Sequence, residues 1–78
     1  MNIYTQHFRA TCSKNGRSVD YVLTIESPRM ILVEDIQVTV GELKGYHEEF
    51  ADLLWQQFGG RQRLVAHHHG TDVETVRP

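Results

Sequence analysis

An Asn15-Gly16 pair separates two segments in which polar and apolar residues alternate, 4–14 and 17–27. A two-residue type I′ loop needs positive φ at both central positions, a conformation that Asn and Gly tolerate best. The pair therefore predicts an antiparallel hairpin closed by Lys14 opposite Arg17. That register sets Cys12 against Val19, Ala10 against Tyr21, Phe8 against Leu23 and Gln6 against Ile25. Nearly every apolar residue of both strands then lies on one face, and a one-residue slip would turn the whole set outward. The opposite face pairs Thr11 with Asp20, Arg9 with Val22, His7 with Thr24 and Thr5 with Glu26, a mostly polar surface suited to water or a partner.

Ser27-Pro28 ends the second strand, because proline lacks a ladder donor and restricts the residue before it. Met30, Leu32, Ile36, Val38 and Val40 share one parity and predict a third strand, with a bulge or bend near Glu34-Asp35, or a division there into two short strands, because Glu34 falls among the apolar positions. Thr39-Val40-Gly41-Glu42 has the form of a capping box, flanked by Val38 and Leu43 as a hydrophobic staple, and starts a helix near residue 40. Gly45 can delay that start to Tyr46. Leu43, Tyr46, Phe50, Leu53, Leu54 and Phe58 form the helix's apolar stripe, and Gly59-Gly60 stops it. Residues 63–69 alternate as a further strand, with room for a short fifth over 70–78. The expected fold is α+β: an antiparallel β-meander, β-β-β-α-β, with one amphipathic helix packed on one face of the sheet. Its core should hold Phe8, Tyr21, Leu23, Ile25, Leu32, Leu43, Phe50, Leu53, Leu54 and Phe58.

Length decides the domain count. The 78 residues form one small domain over 1–78, and a core of that size supplies only about 3–5 kcal/mol, so a homodimer is within reach. The lone Cys12 has no partner for an internal disulfide and fits a reducing compartment. No apolar run approaches the roughly 20 residues of a membrane span, and the N-terminus lacks a signal-sequence pattern. These features point to a cytoplasmic protein without membrane association. The net charge of −2 conceals an acidic block, since residues 20–54 hold eight acids against Arg29 and Lys44. That block argues against direct nucleic-acid binding.

Chemistry-bearing motifs are few. On a strand, His67 and His69 of the His67-His68-His69 run share a face and could place two imidazoles on one metal, with His7, His47 or a carboxylate as a third ligand. No cysteine cluster or His-Glu-x-x-His helix accompanies them, so no metal is assigned. A small metal- or ligand-binding domain built on this strand is the alternative reading. Cys12 falls on the apolar hairpin face, where a thiol is inert, and Ser13, Ser18 and Ser27 lack a nucleophile elbow. Gly59-Gly60 follow a helix, so Arg61 and Arg63 complement its C-terminal dipole and do not build a phosphate loop. No catalytic residue and no cofactor are expected.

Two surface features remain. Glu42, Glu48, Glu49 and Asp52 gather away from the helix's apolar stripe with only Lys44 near them, and Trp55 lies at the stripe's edge, about 120° from its centre. Acids suit a basic protein surface, and a half-exposed tryptophan suits a contact hot spot. Glu48, Glu49, Asp52 and Trp55 are accordingly the expected partner-binding residues. The expected function is that of a non-enzymatic module occupying a surface of a larger protein or protein complex. In size, acidic middle and lack of catalytic motifs the chain resembles, in general build, the small inhibitors that phages and mobile elements encode against host defence complexes, anti-CRISPR proteins among them.

Overall fold

In the computed structural model, which describes residues 1–78, the alternating N-terminal segments form β1 (Asn2–Cys12) and β2 (Ser18–Ser27), paired antiparallel. Phe8 faces Tyr21 and Ala10 faces Val19, two residues away from the expected register. The turn explains the difference. Cys12 N donates to Arg17 O at 2.8 Å and Gly16 N to Cys12 O at 2.9 Å, so the loop holds four residues, not two. Gly16 alone in it has positive φ, at 70°. Asn15 contributes its side chain instead, its Oδ1 accepting from Arg17 N at 2.9 Å. A shift of two preserves parity, so the apolar residues keep the expected face, and Phe8 stacks on Tyr21 with ring centroids 5.0 Å apart.

The two-residue loop occurs at the other end of the chain. Between paired His68 and Thr71, His69 and Gly70 take φ of 52° and 85°, and they join β4 (Arg61–His68) to β5 (Thr71–Arg77). The strands β1, β2, β4 and β5 are neighbours in chain order, each antiparallel to the next. A two-residue β3 (Lys44–Gly45) pairs parallel with the end of β1. The fold is α+β with an antiparallel meander, as expected.

The expected third strand is a helix. Residues Val33–Gly41 form α1 and His47–Phe58 form α2, with α1 over β1 and α2 over β4 and β5. Ile36, Val40 and Leu43 are buried at i, i+4 and i+7, whereas Leu32 and Val38, which strand parity would bury with them, are exposed. Glu34 conflicted with the strand reading because it belongs to the first turn of α1, where it and Asp35 complement the helix dipole. The Thr39–Glu42 segment consequently ends α1 and does not start a helix: Glu42 N and Leu43 N donate to the carbonyls of Thr39 and Val40. The second helix starts after Gly45, where Tyr46 N donates to Glu49 Oε1 at 2.9 Å.

Both helices cover the same sheet face. Leu23, Ile25, Ile36, Phe50, Leu54 and Leu64 are its most deeply buried side chains apart from Ser27, and Tyr21, Leu43 and Phe58 join them. Phe8 is partly buried, and Leu32 and Leu53, both expected in the core, stand outside it. Gln62 is buried for a structural reason, since its Nε2 donates to Leu54 O at 3.0 Å and Gly59 O at 2.8 Å. Those carbonyls belong to the end of α2, where the helix itself offers no donors.

Candidate protein-binding surface

The two layers divide the charge. Residues 33–58, which carry both helices, hold Glu34, Asp35, Glu42, Glu48, Glu49 and Asp52 against Lys44. The rest of the chain, residues 1–32 and 59–78, holds Asp20, Glu26, Asp72 and Glu74 against seven lysines and arginines. On the open sheet face two charges cancel locally, Arg9 pairing with Asp20 at 2.8 Å and Arg63 with Glu74 at 3.1 Å, and His67 Nδ1 is hydrogen-bonded to Asp72 Oδ1 at 2.6 Å. Hydrogen bonding and charge from Arg9 hold the Asp20 carboxyl below its usual range. In the helical layer only Asp52 is ion-paired, to Arg77 at 2.9 Å. The other five carboxylates there face no cation within ion-pair distance, which leaves a negative field on that side of the molecule.

The expected binding residues do not form one cluster. Glu48, Asp52 and Trp55 share a side of α2 at i, i+4 and i+7, whereas Glu49 projects about 100° away and caps Tyr46 N. Glu42 lies outside α2 altogether, at the end of α1. Trp55 is 38% exposed, and its Nε1 donates to Gly60 O and Pro78 O at 3.2 and 3.0 Å. With the Asp52–Arg77 pair it fastens the chain end to α2, so both residues have structural duties beside any contact role.

On the other flank of α2, facing α1, is a groove of about 500 Å³. Leu43 is buried beneath it, while Val38 from α1 and Leu53 from α2 line it at 59% and 45% exposure. Asp35 and Glu42 stand along its α1 side, and Gln57 Nε2 bridges it by donating to Thr39 Oγ1 at 2.8 Å. The strand reading of 30–40 hid this groove. The signal that could have found it is the Ile36, Val40, Leu43 spacing, which turns Asp35, Val38 and Glu42 outward on one helix.

No protein-family profile matches the chain, and no curated protein or solved structure shows significant similarity to it. His67 and His69, the candidate metal ligands, do not share a strand face, because β4 ends at His68 and His69 occupies the turn. No three His, Cys, Asp or Glu side chains converge as a metal site. No helix is long and apolar enough to cross a membrane.

His47 is a different kind of histidine. It opens α2 with its ring stacked on Tyr21, Nε2 lies 2.8 Å from Thr75 Oγ1, and Nδ1 is buried without a hydrogen-bond partner. Burial lowers its pKa; Glu48 opposes the shift and Arg77 adds to it. The folded state therefore binds this proton less readily than the unfolded chain, whose histidine titrates at about 6.5. Stability from this group is complete above that value and is lost as the pH falls through it toward the lower folded value. The urea midpoint is expected to fall between about pH 7 and pH 5, and His47→Gln should flatten that slope. An unchanged slope in the variant would assign the acid sensitivity to other groups.

Proposed function

We propose that this chain is a non-enzymatic protein-binding module that occupies a basic surface of a larger partner with the outer side of its helical layer. The observation supporting this is the asymmetry of charge pairing. Two of the sheet's four acids, Asp20 and Glu74, are neutralised by arginines, whereas Glu34, Asp35, Glu42, Glu48 and Glu49 pair with no cation. Like charges on one helix cost about a few tenths of a kcal/mol per pair, a cost that a cationic partner relieves on docking. Glu48 and Glu49 supply attraction, and Asp52 and Trp55 border the same layer with the exposed edge of an aromatic ring. Action by occupation, in the cytoplasm, is the mode of the phage-encoded inhibitors that the chain resembles in build. A metal- or ligand-binding role for the histidine strand has less support, because His67 is committed to Asp72 and His69 to the turn.

Charge reversal tests the reading with the partner isolated from the native host. Glu34→Lys/Glu48→Lys avoids the capping Glu49 and the paired Asp52. With folding verified by circular dichroism, it should slow association about tenfold at low salt and flatten the salt dependence, leaving dissociation less affected. Asp72→Lys/Glu74→Lys on the sheet side should leave the rate within about twofold. Equal effects from both pairs, or none from either, would contradict the assignment to the helical layer.

A further inference from the structure

The groove between α1 and α2 combines two properties that the rest of the helical layer does not. Val38 and Leu53 expose apolar surface on its opposite walls above the buried Leu43, and no basic side chain lines it. A solvated acidic face has no use for facing apolar walls, whereas a seat for an amphipathic segment needs both. The spacing narrows the occupant. Asp35 and Glu42 are seven residues apart along α1, two helical turns or about 10 Å. A helix laid along the groove presents its own residues i and i+7 at that same separation of about 10 Å, with i+3 and i+4 between them on the same face.

We infer that this groove seats a cationic amphipathic helix of the protein partner, with Lys or Arg at i and i+7 meeting Asp35 and Glu42. Leucine-like side chains at i+3 and i+4 enter between Val38 and Leu53. The inference rests on the protein-binding reading above and adds the seat and the chemistry of its occupant. The Gln57–Thr39 hydrogen bond links the two walls of the groove. A ligand helix either lies above this bridge or displaces it, so the Gln57 side-chain amide is a direct reporter of occupancy.

The test is an NMR titration of the full ¹⁵N-labelled chain with a synthetic helical peptide of about 14 residues carrying Lys at i and i+7 and Leu at i+3 and i+4. Saturable shifts should centre on residues 35–43 and 53–57 and include the Gln57 side chain. A peptide of equal composition with the lysines moved off that register should bind about tenfold more weakly. Asp35→Lys/Glu42→Lys should reverse the preference toward a Glu-for-Lys peptide. Absence of saturable shifts at millimolar peptide, equal binding of the scrambled peptide, or shifts centred on the open sheet face would each overturn the inference. So would self-association abolished by Leu53→Lys in sedimentation, because a second copy would then be the occupant. If capture of the host partner survives Leu53→Lys and Asp35→Lys/Glu42→Lys but is lost with Glu34→Lys/Glu48→Lys, the groove assignment fails while the protein-binding reading stands.

Discussion

Phe50→Ala is expected to leave the chain largely unfolded at 25 °C. Phe50 is 2% exposed, and its ring meets Tyr21 edge-on at a centroid distance of 5.5 Å. Tyr21 in turn stacks with Phe8 and with His47. Removing a buried phenylalanine costs about 3–5 kcal/mol, because the lost transfer energy is joined by a cavity that the surroundings only partly fill. A single core in a domain this size supplies about the same 3–5 kcal/mol in total. Leu53→Ala offers the contrast, since Leu53 belongs to the same apolar stripe in sequence but is 45% exposed on the groove wall. Its cost should stay below about 1 kcal/mol. Thermal unfolding followed by circular dichroism separates the two, and similar midpoints for both variants would remove Phe50 from the centre of the core.

Gly60→Ala should be the second severe change, for a backbone reason. Gly60 lies between α2 and β4 with φ of 71°, and a Cβ placed there would clash with the carbonyl oxygen of Glu26. That oxygen belongs to β2, directly beside the start of β4 where Glu26 faces Arg61, so relief requires the central strand pair to part. Left-handed strain and overpacking together set the loss on the order of 3 kcal/mol. Gly16→Ala isolates the first contribution, because Gly16 has nearly the same φ, 70°, and open space around its would-be Cβ. Its cost should be about 1–2 kcal/mol. Urea denaturation of the two variants gives the comparison, and an equal loss at both would show that contact with Glu26 O contributes nothing.

Much of this architecture was legible in the residues. Parity assigned the faces of β1 and β2 correctly even though the turn shifted their register by two, because face depends on odd or even position while register depends on loop length. Asn15-Gly16 misled by its composition. Asn15 forms its side-chain bond to Arg17 N, and a four-residue loop results, whereas the less conspicuous His69-Gly70 takes the positive φ values of a two-residue loop. Residues 30–40 were ambiguous in kind. Ile36, Val38 and Val40 satisfy a strand's parity, Ile36, Val40 and Leu43 a helix's, and only packing against β1 decides between them. That one ambiguity concealed the groove, since one of its two walls comes from a helix absent from the strand reading. The acidic character of the middle segment, by contrast, was visible as composition, and the fold concentrates it on one layer.

The most direct measurement of the protein-binding account is a hydrogen-exchange footprint of the chain bound to its purified host partner, compared with the free chain. Slowed exchange should fall on α1 and α2, residues 33–58, while the amides of β4 and β5 keep their free rates. Protection centred on β4, β5 or the open sheet face, with the helices unchanged, would contradict the account.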